Sequence, residues 1–595
     1  HRRQRQMCIR DSSGTGKNID AIGTVIKLYF KNSEIIQELI PSRGFQSSMD
    51  YVQTIGLGKI NKIDSVRVIW PSNKSILLKN IVVNQRLYLD EKNSYKYTHE
   101  KNFKVNSLVN KIDNINFNEH KENSFLDFDY EGLISKLLSQ EGPAFSIADI
   151  DNDGLDDIFI GGAKNQYSHI YKNHGNYFSL IDQKIFQNKN LYDHTASSFF
   201  DADNDGDFDL MIGVGGNEIW DSFYYYTRLY LNNGNGKFTE KKLNINTINT
   251  NTSVIKPIDY DNDGDLDVFI GSRSVAGTYG IDPKHIFLEN IGEGNFVDST
   301  QKIIYDIYNA GMITDAKWVD INNDNYKDLI TTSDWGSVNI YKNDGYQLKN
   351  VQSNLSTFKG IWEAIESSDL DGDNDMDLIL GNQGENTLYR ATKLNPMKMW
   401  INDFDNNGTI EQITTHNING DDYPIHMKKE LTNQIVKLKK ENLKAKDYSQ
   451  RKIYELFDNK VIDNSIIKEL NFTKTIIAKN NGDFQFEIIE LPTEIQFSCI
   501  LDIKIDDLNN DGLDDIIMGG NNFEFKPQYS RQDSNYGSIL INKGNMEFIL
   551  MDYIESGFFI NKEVKHLEII KDKYGRRVII AALNDGKPML FKVNE

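Results

Sequence analysis

The feature that most constrains this chain is a nine-residue acidic motif, seen in its fullest form as DADNDGDFD at residues 201–209. Five carboxylates lie within nine positions and are interrupted by a single glycine. Like charges at this spacing repel one another, and such a segment cannot enter an apolar core unless another charge compensates it. The motif therefore predicts a tight turn near the surface that needs a positively charged partner.

The motif recurs along the chain, which predicts a repeated structural unit. Its copies begin at intervals of 34 to 61 residues, except for an interval of 104 residues before the last one. Each copy precedes a strand-sized apolar run, such as LMIGVGG, and most units then carry an apolar strand and a tight turn, as in IYKNHGNYF. Four antiparallel strands per repeat of this length are typical of a β-propeller blade. The copies begin at Asp149, Asp201, Asp259, Asp320, Asp369, Asp403 and Asp507.

The sequence as a whole predicts an all-β protein in which a small β-domain precedes the propeller. Alternating apolar segments in residues 18–92 indicate the small domain, residues 93–140 a linker with a short helix at YEGLISKLLS, and residues 141–595 the propeller. Seven motifs predict seven blades. The C-terminal segments KHLEII, RVIIAAL and PMLFKV leave open an eighth blade without the motif, or strands that close the ring.

Two further segments depart from the repeat. Residues 427–470 place four leucine and isoleucine side chains at approximately helical spacing, which predicts a helical insertion in the sixth unit. Residues 1–17 are basic in an acidic protein and include MCIRDS, which reads like a translated sequencing-library adapter. We expect this tail to be non-native and the true N-terminus to be missing. The apolar positions of the insertion are Leu431, Ile435, Leu438 and Leu443.

Composition and missing motifs exclude several classes of function. The net charge of −21 argues against a nucleic-acid partner, because that affinity depends on clustered positive charge. No uninterrupted apolar run reaches the length of a membrane span. The sequence has no HExxH, GxSxG or P-loop motif, so no catalytic constellation is recognised. A carboxylate pair for glycoside chemistry stays open, because many pairs of acids could meet in space.

The spacing of the acids matches a calcium-binding loop. Calcium takes about six to eight oxygen ligands, and side chains at positions 1, 3, 5 and 9 with a carbonyl oxygen at position 7 supply most of them. Glycine at position 6 permits the sharp turn. In the first, second, third and fifth loops the predicted ligands are Asp149, Asp151, Asp153, Leu155 and Asp157; Asp201, Asp203, Asp205, Asp207 and Asp209; Asp259, Asp261, Asp263, Asp265 and Asp267; and Asp369, Asp371, Asp373, Asp375 and Asp377.

Three loops depart from this pattern. The fourth and seventh have asparagine at position 3, and the sixth has asparagine at position 5 and glutamate at position 9. An amide oxygen can ligate but removes a charge, so we expect these loops to bind calcium more weakly. Their predicted ligands are Asp320, Asn322, Asp324, Tyr326 and Asp328; Asp403, Asp405, Asn407, Thr409 and Glu411; and Asp507, Asn509, Asp511, Leu513 and Asp515.

A metal-free alternative exists for each loop, because Asp, Asn and Gly favour solvated turns in any case. Repetition of the same alternation ahead of apolar strands favours calcium over coincidence. We expect the ions to be structural, since each would tie the hairpin between the first two strands of a blade. The affinity typical of extracellular modules, about 10⁻⁴–10⁻³ M, implies an exported protein.

These loops and strands resemble FG-GAP/VCBS repeats, the blades of integrin-α-like propellers, over residues 141–595. The leading domain, with AIGTVIKLYF, RGFQSS, IGLG and VRVIWPS, resembles an ASPIC/UnbV domain. This order of domains is similar to that of large secreted or surface-anchored proteins of Bacteroidetes-type bacteria. The resemblance implies an extracellular or outer-membrane location and a longer chain with a second propeller upstream.

The favoured function is that of a non-catalytic surface or secreted protein that binds a glycan or an envelope protein. Long loops between the second and third strands of a blade open opposite the acidic loops, and recognition usually occurs on loops of a rigid scaffold. Their aromatic residues either pack between blades or form a binding surface. The alternatives are a carbohydrate-active lyase or hydrolase on the same scaffold, and a purely architectural module. The candidate surface residues are Trp220, Phe223, Tyr224, Tyr225, Trp335, Tyr529 and Arg531.

Overall fold

The chain divides into two compact units, His1–Val105 and Asn106–Glu595. The computed structural model describes residues 5–31, 33–42, 44–58, 60–96, 106–113, 115–187, 191–243, 245 and 250–594. The division falls inside the segment 93–140 that the sequence predicts to be a linker.

The first unit is a small β-domain with two sheets. Its strands are β1 (Arg5–Ser13), β2 (Val25–Phe30), β3 (Ser33–Glu38), β4 (Gln53–Gly58), β5 (Lys62–Ile69), β6 (Lys74–Val82), β7 (Arg86–Asp90) and β8 (Tyr95–Lys96). One sheet has the order β3-β2-β5-β6-β8 and the other β4-β1-β7. Alternating side chains of β2 and β5, such as Leu28 and Val66, are buried in one core with Trp70. Strand β1, in the tail expected to be non-native, pairs with β4 and β7.

The second unit contains, among the described residues, eight four-stranded sheets. Its first strands are β9 (Val109–Ile112), β10 (Phe145–Ala148), β11 (Asp157–Ile160), β12 (His169–Asn173), β13 (Phe178–Ile181), β14 (Asp193–Phe200), β15 (Asp209–Gly215), β16 (Arg228–Leu231), β17 (Thr239–Lys241), β18 (Asn251–Ile258), β19 (Asp267–Ser274), β20 (Ile286–Asn290), β21 (Phe296–Asp298), β22 (Met312–Val319), β23 (Asp328–Asp334), β24 (Asn339–Asn343) and β25 (Leu348–Val351). The remaining strands are β26 (Trp362–Ser368), β27 (Asp377–Asn382), β28 (Met397–Asn402), β29 (Glu411–Ile418), β30 (Asp421–Pro424), β31 (Ile466–Leu470), β32 (Ile476–Asn480), β33 (Phe486–Glu490), β34 (Ile500–Asp506), β35 (Asp515–Gly520), β36 (Ser538–Asn542), β37 (Phe548–Leu550), β38 (Val564–Lys571), β39 (Arg577–Leu583) and β40 (Met589–Val593).

Seven of these sheets are propeller blades, which confirms the predicted fold class. Blades 1 to 4 are β10–β13, β14–β17, β18–β21 and β22–β25; blade 5 is β26, β27, β32 and β33; blade 6 is β34–β37; and blade 7 is β38, β39, β40 and β9. The C-terminal segments therefore close the ring and do not form an eighth blade. Strand β9, which the sequence places in the linker, pairs with β40 as the fourth strand of blade 7.

The seven acidic motifs do not correspond one to one with the seven blades. The sixth motif joins β28 to β29, in a sheet of order β30-β29-β28-β31 that is inserted between β27 and β32 of blade 5. Blade 7 has instead a short turn between β38 and β39. The prediction that each motif marks a blade was wrong for this pair, because the motif specifies a hairpin and not the sheet that contains it.

The insertion is larger than the predicted residues 427–470 and contains this sheet as well as short helices. Leu431, Ile435 and Leu438 are buried as predicted, whereas Leu443 is exposed because it follows the end of a helix. The helices of the second unit are α1 (Lys184–Gln187), α2 (Thr300–Ile303), α3 (Lys428–Gln434), α4 (Leu438–Glu441), α5 (Ala445–Tyr448), α6 (Ile453–Leu456), α7 (Asn459–Asp463) and α8 (Tyr553–Ser556).

Apolar side chains on both faces of the middle strands hold neighbouring blades together. In one cluster Met211 and Leu229 of blade 2 pack with Val268 and Ile270 of blade 3. Residues of the first and last blades share another cluster, so the ring is closed by packing as well as by β9. Strands buried on both faces read as continuous apolar runs, which is why the segments after the acidic motifs show no polar alternation.

A segment before the first blade crosses the central cavity, and we call residues 115–141 the strap. The first strands of all seven blades line this cavity of about 340 Å³, together with Lys136 and Glu141 of the strap. Lys136 forms buried ion pairs with Asp334 and Glu363, at 3.2 and 3.1 Å. The helix predicted at YEGLISKLLS was wrong. Its backbone groups instead bond to loops of other blades, as where the Leu137 N–H donates to the Glu524 carbonyl.

A repeated asparagine at the end of the third strand ties each blade to the one before it. Its side-chain amide donates to the backbone carbonyl at position 2 of the preceding blade's acidic loop, at 2.8 or 2.9 Å. A buried carbonyl without such a donor would be destabilising. The pairs are Asn232 with Ile150, Asn290 with Ala202, Asn343 with Tyr260, Asn480 with Ile321, and Asn542 with Leu370.

We predict that Asn480→Ala lowers the free energy of unfolding by about 2–4 kcal/mol, because it removes buried hydrogen bonds to blade 4 and to the Met376 carbonyl. The measurement is the urea unfolding midpoint and slope, followed by fluorescence. Asn481→Ala is the matched control, since Asn481 is the exposed neighbour. Equal effects of the two substitutions would contradict the inter-blade role.

Candidate functional site

The acidic loops lie at one end of the blades, where the first strand turns into the second. In blade 2 the loop connects β14 to β15, and the loops of blades 1, 3, 4, 5 and 6 occupy the same position. The two positions that need left-handed backbone are filled by residues that tolerate it. In blade 2, Asn204 at position 4 has φ 59° and Gly206 at position 6 has φ 92°. Asn325 and Asn374, which replace glycine at position 6, have φ 70° and 68°.

Position 1 of each loop organises the turn. The two carboxylate oxygens of Asp201 accept hydrogen bonds from the N–H groups of Asp205 and Gly206, at 3.2 and 3.0 Å. The corresponding bonds occur in the other loops, including the inserted one, where Asp403 accepts from Asn407 and Gly408 at 3.0 and 2.8 Å. The carboxylate therefore has a structural role even before any ion is considered.

Position 9 anchors the loop to the blade. Asp209 is buried and accepts hydrogen bonds from the N–H groups of Asn232 and Ala202, at 2.8 and 2.9 Å. Burial raises the pKa of Asp209 to about 7, against the lowering effect of these two bonds. The same cause raises the pKa of Asp157, Asp267 and Asp328 to about 7, of Asp377 and Asp515 to about 6, and of Glu411 to about 7.

Position 3 carries the clearest sign of a missing ligand. In five loops one oxygen of the position-3 aspartate is buried and receives no hydrogen bond. In the same five loops, oxygens of three acidic residues lie within 4.8 Å of one another. A divalent cation would supply both the missing contact and the missing charge. The groups are Asp149, Asp151 and Asp157; Asp201, Asp203 and Asp209; Asp259, Asp261 and Asp263; Asp369, Asp371 and Asp377; and Asp403, Asp405 and Glu411.

The fourth and seventh loops satisfy their own carboxylates. The Asn322 amide donates to Asp328 Oδ2 at 2.9 Å, and the Asn509 amide donates to Asp511 Oδ2 at 3.0 Å. Among the described residues, neither loop brings three acidic oxygens together as the other five do. The structure thus separates the three loops expected to be weak: two are internally bonded, and the sixth is a full cluster.

Lysine side chains compensate some of the loops. Lys172 contacts Asp151 and lies 2.9 Å from Asp153, and hydrogen bonding to these two aspartates raises its pKa. In blade 5 Lys479 contacts Asp371 in the same way. Leucine and glutamate stand at the equivalent place in blades 2 and 3, as Leu231 and Glu289. The loops of blades 2 and 3 therefore lack this source of positive charge.

The position-7 residues take part in two ways. In blade 2 the Asp207 N–H donates to Asp205 at 3.0 Å, and its side chain accepts from Asn152 of the preceding loop at 3.1 Å. The carbonyl ligands expected at this position stay a prediction. The residues concerned are Leu155, Asp207, Asp265, Tyr326, Asp375, Thr409 and Leu513.

The opposite end of the blades carries the candidate recognition surface, and only part of it is accessible. Trp220 and Phe223 are 60% and 79% exposed, and Arg531 is exposed. Tyr225 and Trp335 are buried, so both outcomes weighed for these aromatic residues occur. Tyr224 and Tyr529 are half-buried.

Sequence reasoning missed the strap residues that complete this surface. Tyr130 is 55% exposed, its ring stacks on Phe125 with centroids 5.3 Å apart, and it meets Trp220 edge to face at 5.7 Å. Trp220 lies over Gly277, where a Cβ would come within 2.8 Å of the indole ring. We call Phe125, Tyr130 and Trp220 the aromatic platform. Two exposed aromatic residues in a linker-like segment were the available signal.

The contrast between the loops yields a reciprocal prediction. Asp203→Asn places an amide where Asn322 has one, so we expect one calcium ion fewer per chain. Asn322→Asp removes the internal bond and restores a third carboxylate, so we expect one ion more. Equilibrium dialysis followed by elemental analysis counts the ions.

Asp207→Asn is the matched control for this prediction, because it removes a carboxylate from the same loop without touching the cluster of three. It should leave the count unchanged. An unchanged count in both Asp203→Asn and Asn322→Asp would contradict the assignment of the position-3 oxygen as a ligand.

No helix in the described part of the chain combines the length and the hydrophobicity that a bilayer span requires. A search of curated proteins finds no match. Among solved structures, the chain is similar to the Vibrio cholerae biofilm matrix protein Bap1, with 11% identity over 82% of this chain and 91% of that one and a TM-score of 0.36. It is also similar to YCF48 from Cyanidioschyzon merolae, with 9% identity, 78% and 97% coverage, and a TM-score of 0.37. TM-scores this low do not identify a common function.

Family models match both units. Residues 14–96 match the ASPIC and UnbV model, and residues 149–212, 219–270 and 320–380 match the FG-GAP-like repeat. The matched repeats cover acidic loops and strands in blades 1 to 5, where the hairpins described above lie. The chain is therefore an FG-GAP-repeat β-propeller protein with an ASPIC/UnbV domain preceding the propeller.

Proposed function

We propose that this chain is a non-catalytic, calcium-stabilised propeller of the cell exterior that binds a neutral glycan on its aromatic platform. The observation that supports the glycan is the exposed pair Tyr130 and Trp220, held at a fixed angle by Phe125 and by the backbone of Gly277. Rigid aromatic faces next to polar groups suit sugar rings, which have an apolar face and a polar edge.

The charge around the aromatic platform favours a neutral ligand. Asp129 and Asp221 are exposed and directly adjoin Tyr130 and Trp220 in sequence. The chain also has a net charge of −21. An anionic glycan would be repelled, whereas the same carboxylates can accept hydrogen bonds from the hydroxyl groups of a neutral sugar.

Calcium is the metal that suits the five acidic clusters best. The donors are all oxygen, and the loops are turns that offer carboxylates from alternate positions, as calcium sites of moderate affinity do. Affinities of about 10⁻⁴–10⁻³ M require the calcium concentrations found outside cells. Calcium in this account is structural, and the sugar binds at the other end of the blades.

We predict that Trp220→Ala and Tyr130→Ala each weaken binding of a neutral oligosaccharide at least about tenfold, which corresponds to about 1.4 kcal/mol. A glycan array identifies the sugar, and calorimetry measures the dissociation constant. Tyr346→Ala is the matched control, because Tyr346 is 82% exposed and lies at the end that carries the acidic loops.

A reducing-end assay on the same sugars separates binding from catalysis. Binding without product supports the proposal, and turnover would favour the carbohydrate-active enzyme. Binding of an envelope protein that depends on Trp220, with no glycan bound, would replace the sugar by a protein as the ligand. Absence of any ligand would leave an architectural module.

A further inference from the structure

A cluster of carboxylates lies at the opposite end of blade 2 from its acidic loop. Asp193 begins β14, whereas the acidic loop follows Phe200 at the end of this strand. At about 3.3 Å per residue the two ends are about 23 Å apart. The cluster is therefore distinct from every acidic motif, and the sequence around Asp193, YDHTASSFF, contains no recognisable metal loop.

Asp193 is the anomaly of the cluster. It is 0% exposed, and neither of its carboxylate oxygens receives a hydrogen bond. Buried carboxylates are normally paired or hydrogen-bonded, because desolvation of an isolated charge is costly. Burial raises the pKa of Asp193 well above its ordinary range, and the carboxylates of Glu122 and Glu218 raise it further.

The two neighbouring acids come from different segments. Glu122 belongs to the strap: its Oε1 accepts from the Gly142 N–H at 2.9 Å, and its Oε2 is buried without a donor. Glu218 follows β15, and its two oxygens accept from the Asn123 amide at 2.8 Å and the Asn217 N–H at 3.1 Å. Three oxygens of Asp193 and Glu122 thus lack any partner.

Gly216 leaves an open space between two of the acids. A Cβ on Gly216 would lie 2.4 Å from Glu218 Oε2 and 3.6 Å from Asp193 Oδ2, so these oxygens are at most 6.0 Å apart. Gly216 also has φ 100°, a conformation that other residues rarely adopt. Two oxygens on opposite sides of a calcium ion are separated by about 4.8 Å, so a small inward movement suffices.

We propose that Asp193, Glu218 and Glu122 bind a calcium ion that fastens the strap to blade 2. A proton would neutralise one carboxylate but would leave the other orphan oxygens without a contact. A divalent cation supplies charge and contacts together. The all-oxygen donor set selects a hard cation, and the width of the space favours calcium over the smaller magnesium ion.

The ion has to draw the strap inwards. Groups of three acidic oxygens within 4.8 Å of one another occur, among the described residues, in the acidic loops and not here. The Glu122 side chain is the member carried by the strap, so closing the site pulls residues 115–141 toward blade 2. Asn123, next in sequence, already bonds to Glu218. Calcium should therefore order the strap directly.

The first test uses the unmodified chain. Amide hydrogen exchange of peptides from the strap is measured with calcium, with magnesium and with a chelator. We expect calcium, but not magnesium, to slow exchange in residues 117–141 at least tenfold. Exchange in the strap that is insensitive to calcium would overturn the proposal, even if the acidic loops respond.

The second test counts ions. Asp193→Asn and Glu218→Gln should each bind one calcium ion fewer than the unmodified chain and should lose the calcium effect on strap exchange. Asp129→Asn, which removes an exposed carboxylate of the same strap, should change neither. An unchanged ion count in Asp193→Asn, with the strap still responding to calcium, would overturn the proposal and leave a carboxylic acid that is buried in its protonated form.

Discussion

Repulsion between closely spaced carboxylates is the constraint on which the propeller depends. Each acidic loop joins the innermost strand of a blade to the next one, and its last acid is buried against the blade. The loop has to keep this acid in place while holding several like charges together. Two kinds of compensation are visible: asparagine amides in the fourth and seventh loops, and lysine side chains in blades 1 and 5. The remaining orphan oxygens call for a cation.

The two ends of the blades have separate tasks. One end carries the acidic loops and the asparagine bonds that connect successive blades. The other end is crossed by the strap, whose residues contact several blades and contribute to the aromatic platform. Because the strap carries both Tyr130 and Glu122, the position of the sugar-binding surface depends on how the strap is held. This arrangement links stability of the ring to recognition without placing calcium at the recognition surface.

Local patterns in the sequence predicted the repeated features well. The motif specifies a turn through residues whose conformational preferences are strong, and the apolar run after it specifies a strand buried on both faces. Blade number followed from counting motifs, although for a partly wrong reason. The sixth motif belongs to an inserted sheet, and the blade without a motif is completed by β9, which is distant in sequence. Pairing between segments about 480 residues apart leaves no local signal.

The structure of the strap could not be predicted for a related reason. YEGLISKLLS has apolar residues at helix-like spacing, but their backbone partners lie on loops of other blades. The cluster around Asp193 combines acids from the strap, a strand and a loop, none of which is unusual alone. The aromatic residues of the long loops illustrate the same limit, since Trp220 is exposed and Trp335 is buried with no difference in composition to separate them.

The central claim is that divalent cations in the acidic loops stabilise the ring of blades. Its most direct measurement is calorimetric unfolding of the whole chain in excess chelator and in about 10 mM calcium. With affinities of about 10⁻⁴–10⁻³ M, each occupied loop should contribute about 1.4–2.7 kcal/mol, so the propeller transition should move to a clearly higher temperature in calcium. An unfolding temperature that is the same in both conditions would contradict the account.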